Sequence, residues 1–154
     1  NIIIISLIFI LDRISKIYVI NLNKVNNSSE LYQSKYLNIN LVWNDGIAFG
    51  LLSFNQDNLY NLLSLIIASV ILIIFFMIIR NNNIKKYPLL MIFAGAIGNL
   101  YDRILYKAVP DFIDLHVGDF HWFIFNVADV FITLGVFFMI LIELIDNSKN
   151  NETA

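Results

Sequence analysis

Two aspartates lie where long apolar runs end or begin, at positions where an ionised side chain is energetically unfavourable. Asp111 follows the third apolar run of the chain, and Asp129 lies at the start of the fourth. A carboxylate beside an apolar medium is unfavourable unless it is paired, hydrated or used in chemistry. Taken singly, each of these acids is most simply explained as a side chain solvated by water. If the two converge, only one ionises readily at neutral pH, which gives the acid and the base that peptide hydrolysis needs. The pair therefore favours a membrane protease.

The residues around Asp129 suit such chemistry. Asp129 lies near the N-terminus of the fourth predicted helix, where the helix dipole favours an ionised carboxylate. Asn126, three residues earlier, is placed to cap that helix or to orient the carboxylates. One acid would activate a water molecule while the other protonates the carbonyl oxygen or the leaving amine. The two roles stay unassigned, because such a pair titrates as a unit.

The first apolar run contains charges of its own. Asp12 and Lys16 are four residues apart, so they share a helix face. Either a structural ion pair or a direct role in substrate handling would explain them. Arg13 is expected to point elsewhere, toward the membrane surface or a lipid phosphate.

The third run carries polar residues next to small ones. Asn99 and Asp102 are three residues apart and share a face, while Gly95 and Gly98 allow another helix to approach closely. A hydrogen-bonded structural cluster and catalysis by Asp102 both remain open. Arg103 suits either a lipid phosphate or a structural carboxylate, because its planar fork binds both kinds of group.

Other chemistries have less support. The chain has no cysteine, and its net charge of −2 does not indicate a nucleic-acid partner. Ser64 and Ser69 have no histidine or lysine near them in sequence, so a serine hydrolase is weakly supported.

The two histidines, His116 and His121, could form a metal site with the nearby Asp114 and Asp119. Histidines in a loop beside a membrane are more often surface groups. We therefore expect no metal here.

The composition indicates a membrane protein. Hydrophobic residues make up 58% of the 154 residues and charged residues only 14%, whereas soluble domains carry roughly 25% charged residues. Four apolar runs, at about 2–22, 59–79, 87–105 and 127–145, approach the length that crosses a bilayer. The first lacks a basic leader and a small-residue cleavage site, so we expect a retained helix. The sequence predicts one integral membrane domain, mainly α-helical, with four transmembrane helices.

The links between the runs predict orientation and a small sheet. The short link at 80–86 carries one arginine and two lysines, which places it in the cytoplasm together with both termini. The longer links, at about 23–58 and 106–126, then face outward with the two candidate aspartates. Apolar and polar residues mostly alternate from Leu37 to Trp43, and a turn signal follows at 44–46 before residues 47–52 lead back toward the membrane. We expect a small sheet between helices one and two, to which the aromatic second link could add a strand.

Five short motifs occur in order along nearly the whole chain. They are Asp12-x-x-x-Lys16, Asn44-x-Gly46-x-Ala48-Phe49-Gly50, Gly95-x-x-Gly98-Asn99-x-x-Asp102-Arg103, Val109-x-Asp111-Phe112 and Phe125-Asn126-x-Ala128-Asp129. Together they resemble the motifs of the bacterial lipoprotein signal peptidases (signal peptidase II). Two positions depart from the family pattern, Ala94 where glycine is frequent and Pro110 before the first aspartate, and neither removes a group that the chemistry needs.

This resemblance implies a four-helix aspartyl endopeptidase of the bacterial inner membrane, with an outer β-cradle and an extracytoplasmic active site. The implied substrate is a prolipoprotein that carries a diacylglyceryl group and is cleaved just before the lipid-modified cysteine. Asp111 and Asp129 match the catalytic dyad. Further motif positions match residues that line, brace or support the site: Asn44, Gly46, Asn99, Arg103 and Asn126, with Asp12 and Lys16. The family implies no metal or organic cofactor, inhibition by globomycin-type cyclic peptides and contact with membrane phospholipid, and we expect a monomer.

Two other functions remain open from the residues alone. A small membrane transporter or channel would use Asp12, Lys16 and Asp102 as a polar pathway and would not need the two candidate aspartates. A non-enzymatic membrane scaffold would need no single carboxylate.

Overall fold

The computed structural model describes residues 1–46 and 57–152, with side chains over 1–46 and 60–146. Within these residues the chain forms four helices: α1 (Ile2–Asn26), α2 (Asp57–Arg80), α3 (Lys86–Tyr106) and α4 (Val127–Glu152). It also forms four strands: β1 (Glu30–Tyr32), β2 (Leu37–Asn44), β3 (Val109–Val117) and β4 (Phe120–Phe125). The predicted return segment at 47–52, with the motif residues Ala48, Phe49 and Gly50, lies outside the described residues.

Each predicted apolar run forms a helix. Among the described residues, three helices are long and apolar enough to cross a membrane, over Tyr60–Arg80, Lys86–Tyr106 and Val127–Asp146. α1 is long enough as well, with 25 residues, but the charged residues at 12–16 interrupt its apolar sequence. The chain is thus mainly helical, and three of its four helices qualify as membrane spans on composition.

Apolar side chains cover the outside of these helices instead of being buried. Leu65 and Ile73 on α2 and Phe137 on α4 are each more than half exposed. A continuous apolar surface of this kind is unfavourable in water and suits contact with lipid. The fold is therefore consistent with a membrane protein.

α3 lies at the centre of the bundle and contacts the other three helices. A Cβ added to Gly95 would lie 2.5 Å from the carbonyl oxygen of Ala128 in α4, and one added to Gly98 would lie 2.8 Å from Oδ2 of Asp12 in α1. Both distances are below 3.0 Å, so a larger residue at either position would require the neighbouring atoms to shift. The close helix approach predicted from these two glycines is confirmed.

The four strands form one antiparallel sheet in the order β1-β2-β3-β4. β1 and β2 lie between helices one and two, as predicted, and the link between α3 and α4, which we expected to add one strand, adds two, β3 and β4. The pairing of β2 with β3 places Val42 opposite Asp111 and Asn44 opposite Val109. Asp111 consequently lies in an interior strand of the sheet and not in a loop.

The predicted alternation along β2 is only partly present. Leu41 is buried in a small core with Val19 of α1 and Phe112 of β3. Trp43, which the pattern placed on the same face, is 43% exposed and packs edge-on against Tyr106 with ring centroids 5.3 Å apart. A register shift between Ile39 and Val42 includes Leu41 and precedes Trp43, and such irregularities change the face that later residues present.

Candidate active site

Asn126 joins the two candidate aspartates. It is fully buried at the junction of β4 and α4, and its Nδ2 donates to Oδ1 of Asp111 over 2.6 Å. Its backbone N–H donates to Oδ2 of Asp129 over 3.1 Å, and its Oδ1 accepts the backbone N–H of Asp129, also over 3.1 Å. This reciprocal pair is a capping box, so Asn126 both caps α4 and orients the two carboxylates.

Asp111 is held from its other side by β2. Asn44 donates from Nδ2 to Oδ2 of Asp111 over 2.9 Å, and Oδ1 of Asn44 accepts the backbone N–H of Gly46 over 3.0 Å. This turn bond fixes which end of the Asn44 amide faces the carboxylate. The sequence-predicted turn at 44–46 therefore serves to aim a donor at Asp111.

Burial changes the acidity of Asp111. Its side chain is only 4% exposed, and this burial, reinforced by the nearby charge of Asp129, raises the pKa of Asp111 from 3.8 to about 6. The amide donors of Asn44 and Asn126 lower the pKa by less than burial raises it. Asp111 can thus exchange a proton close to neutral pH.

Asp129 accepts a hydrogen bond from a residue of α3. Asn99 donates from Nδ2 to Oδ1 of Asp129 over 2.8 Å, and Oδ1 of Asn99 accepts from Nζ of Lys16 over 2.8 Å. Because Lys16 can only donate, it fixes the orientation of the Asn99 amide and directs the amide N–H toward Asp129. A hydrogen-bonded chain therefore runs from α1 through α3 to α4.

Lys16 also belongs to a buried group of four charges, formed by Asp12, Arg13, Lys16 and Asp102. Lys16 contacts Asp12 at 3.0 Å and Asp102 at 2.7 Å. Arg13 binds both oxygens of Asp102 and lies 2.7 Å from Asp12. Two cations thus balance two anions, as a buried cluster requires.

This cluster settles two expectations about α1. The spacing-based pairing of Asp12 with Lys16 is confirmed. The expectation that Arg13 points toward lipid was wrong, because its guanidinium reaches Asp102 and lies 5.0 Å from the ring of Tyr101. Asp102 is fully buried and bound by two cations, which favours a structural role for it over catalysis.

Asp12 also links the first helix to the last. Its Oδ1 accepts the backbone N–H of Ala128, in the first turn of α4, over 3.0 Å. The first N–H groups of a helix have no partner within the helix, so Asp12 satisfies one of them from another element. Position 12 therefore supports the same helix end that carries Asp129.

The contact of Arg103 with a lipid phosphate stays a prediction, and in the part of the chain that the structure describes its guanidinium makes no hydrogen bond to a carboxylate. Among the described residues its guanidinium donates to carbonyl oxygens, that of Gly46 at 2.8 Å and that of Asn99 at 3.4 Å. It is 7% exposed, and its own carbonyl accepts from the hydroxyl of Tyr60 over 3.2 Å. Arg103 therefore connects α2, α3 and the turn after β2.

Both candidate aspartates open onto the same cavity. It has a volume of about 300 Å³. Its polar lining consists of Asn44, Asn99, Arg103, Asp111, Asn126, Asp129 and Thr133. Its apolar lining includes Ile67 and Ala96 on the helix side and Phe123 and Ile124 on β4.

Two larger grooves of about 590 Å³ each adjoin this cavity. One is strongly apolar and shares Asp129 with the cavity, and the other shares Asn44 and Asp111. Phe123 of β4 lines all three spaces. An extended apolar ligand lying in the two grooves would pass the carboxylates.

The serines considered in α2 offer no nucleophile. Ser64 donates to the carbonyl of Tyr60 over 3.0 Å, and Ser69 donates to that of Leu65 over 2.8 Å, each within its own helix. These are ordinary back-bonds of helical serine. They give no support to a serine hydrolase.

Comparison with known proteins identifies the family of this chain. The model of the family described as Signal peptidase (SPase) II matches residues 4–145. A lipoprotein signal peptidase of Pelagibacter ubique (strain HTCC1062) is 51% identical over 99% of this chain and 92% of its own length. One of Anaplasma phagocytophilum (strain HZ) is 38% identical over 98% of this chain and 96% of its own.

Solved structures show a similar fold. A chain described as a bacterial membrane enzyme, solved by the in meso method at 2.3 Å resolution, superposes with a TM-score of 0.74 and 29% identity. The match covers 97% of this chain and 89% of the solved one. The protein therefore belongs to the signal peptidase II family of aspartic-type peptidases.

Proposed function

We propose that this protein is a membrane aspartyl endopeptidase that removes signal peptides from prolipoproteins, with Asp111 and Asp129 as its catalytic acids. The observation that carries the proposal is the shared environment of the two carboxylates. Both are bound to Asn126 and both line one cavity. The relatives' name, lipoprotein signal peptidase, supplies the substrate class.

The chemistry follows from one proton shared between the two acids. The ionised carboxylate takes a proton from a water molecule, and the water oxygen attacks the scissile carbonyl carbon. The protonated carboxylic acid gives its proton to the developing oxyanion and then, as the C–N bond breaks, the proton passes to the leaving amine. The raised pKa of Asp111, about 6, keeps this proton available near neutral pH.

Other polar residues hold the dyad in position. Asn44 and Asn126 direct amide donors at Asp111, and Asn99 directs one at Asp129. Gly46 and Arg103 fix the turn that carries Asn44. The buried group of Asp12, Arg13, Lys16 and Asp102 also supports this arrangement. Because these four charges bind one another, a polar transport pathway through them is not favoured.

The substrate would lie across the sheet with its lipid remaining in the bilayer. All four helices cross the membrane in this proposal, with the charges of α1 facing the bundle interior. The dyad and the sheet lie on the extracytoplasmic face of the bacterial inner membrane, and both termini are cytoplasmic. The diacylglyceryl group stays among phospholipids while the peptide enters the grooves, and cleavage falls just before the modified cysteine. The enzyme would act as a single-domain monomer, and globomycin-type peptides would occupy the same cavity.

Processing of a diacylglyceryl-modified prolipoprotein by the purified full chain in detergent tests this proposal. Asp111→Asn and Asp129→Asn should each lower the rate of product formation by about 10²–10⁴, the usual contribution of acid–base groups. Asp119→Asn, a change of an exposed acid in the β3–β4 turn, is the matched control and should retain activity. Processing that survives both dyad substitutions would refute the assignment.

A further inference from the structure

A second group of potential ligands lies at the far end of the β3–β4 hairpin. It consists of Asp114, His116 and His121, whose ligand atoms all lie within 4.8 Å of one another. β3 supplies the first two residues, and β4 supplies His121 directly opposite His116. Asp119, which the sequence also suggested, is not part of the group. The three side chains are thus brought together by strand pairing and not by sequence adjacency alone.

One ring nitrogen of this group has no partner in the part of the chain that the structure describes. It is Nδ1 of His116, which is buried. Buried polar atoms without a partner are rare and need an explanation. Asp114 is 3% exposed, and its two carboxylate oxygens lie 3.0 and 2.9 Å from Nδ1 of His121. A metal ion bound by all three side chains would give the free ring nitrogen a partner and would replace the contact between His121 and Asp114.

The two imidazole rings lie side by side across the strand pair. Their centroids are 4.9 Å apart and their planes differ by 14°. This stacking keeps a ring nitrogen of each histidine within 4.8 Å of the other and of a carboxylate oxygen of Asp114.

We propose that Asp114, His116 and His121 form a zinc site that cross-links β3 to β4. Two imidazoles and one carboxylate match the nitrogen and oxygen ligands of Zn²⁺, with the fourth position open to water. Tetrahedral zinc with bonds of about 2.1 Å separates its ligand atoms by about 3.4 Å, so side-chain movements of about 1 Å complete the site. Mg²⁺ prefers oxygen ligands alone and does not suit this group.

The surroundings provide the support that metal ligands need. Asn38 lies opposite Asp114 in the sheet, and its Nδ2 is 3.4 Å from Oδ2 of that carboxylate. The backbone N–H of His116 donates to the carbonyl of Tyr36 over 3.1 Å. Half of the His121 side chain is exposed, which gives a metal ion access from solvent. Partners of this kind orient ligating side chains and raise affinity.

A zinc-binding experiment tests the proposal. The chain is purified in detergent without a polyhistidine tag and is stripped of metal ions with a chelator. After the stripped chain is reloaded with Zn²⁺ and desalted, we expect one zinc per chain by elemental analysis. Titration against a zinc indicator should give an affinity that falls at least 10-fold in His116→Gln and in His121→Gln. Asp119→Asn should bind like the unsubstituted chain, and Mg²⁺ should not compete. Co²⁺ should give the visible absorption bands of a four-coordinate site.

Thermal unfolding distinguishes variants that have lost zinc binding from variants that have failed to fold. Zinc should raise the Tm of the unsubstituted chain and of Asp119→Asn, and it should leave the Tm of both histidine variants unchanged. If the unsubstituted chain retains no zinc at micromolar concentration, the proposal is wrong. Equal binding by the histidine variants would identify the zinc as adventitious and would also overturn it.

Discussion

Replacing Asp111 by asparagine should stabilise the protein above pH 6 while abolishing its catalysis. The pKa of Asp111 is raised from 3.8 to about 6, so the folded state binds this proton more tightly than the unfolded state does. Between these two pH values the folded carboxyl is still protonated while the unfolded one is ionised. Stability is therefore lost as the pH rises through this interval, and the full penalty is present above pH 6.

The size of this penalty follows from the shift. At roughly 1.4 kcal/mol per pKa unit, a rise from 3.8 to about 6 corresponds to about 3 kcal/mol. Asparagine carries no charge and removes this penalty, but its amide can accept only one of the two N–H donors, from Asn44 and Asn126. The lost hydrogen bond offsets about 1 kcal/mol. The net gain should be about 2 kcal/mol at pH 7.5, should vanish at about pH 4.5 and should become a net loss of about 1 kcal/mol at lower pH.

Thermal or denaturant unfolding in detergent between pH 4 and 8 measures this difference, with processing assayed on the same samples. Asp119→Asn, at an exposed acid, controls for the general loss of a negative charge. A variant that unfolds with the same pH dependence as the unsubstituted chain would show that Asp111 is not the buried, proton-binding group inferred here. So would a variant that is less stable than the unsubstituted chain at pH 7.5.

Three further substitutions test the supports of the site. Lys16→Met leaves the buried carboxylates short of a cation and should lower the free energy of unfolding by roughly 3–5 kcal/mol, with exposed Lys24→Met as the control in the same denaturant titration. Gly95→Ala places a methyl group 2.5 Å from a backbone oxygen of α4 and should lower the Tm by the equivalent of about 1–3 kcal/mol; an unchanged Tm would contradict the packing of α3 on α4. Asn44→Ala removes a donor to Asp111, so the pH profile of kcat/KM should move upward by about one pH unit, and an unmoved profile would count against that hydrogen bond.

The sequence was most informative about features that repeat along the chain. Apolar runs predicted all four helices, and their observed ends at Asn26, Arg80, Tyr106 and Glu152 lie one to seven residues beyond the predicted ones. Pairs three or four residues apart, such as Asp12 with Lys16, were also predictable because helix geometry alone brings them together.

Contacts between distant segments could not be predicted in the same way. Nothing in β2 alone indicates that it pairs with β3, and this pairing makes Asn44 a partner of Asp111. Arg13 was misjudged because adjacent helical residues point about 100° apart, yet its long side chain still reaches Asp102. The hairpin ligands were named from sequence, but only strand register shows that His121 stands opposite His116.

The contact between Asp12 and the backbone of Ala128 bears on how the enzyme matures. These two residues are 116 positions apart, so the helix end that carries Asp129 is completed only after α4 has been synthesised and packed against α1. A growing chain that has inserted its first three helices already exposes Asp111 but lacks its partner. The peptidase should therefore be inactive throughout its own translation and membrane insertion, and it should become active only when its first and last helices pack together.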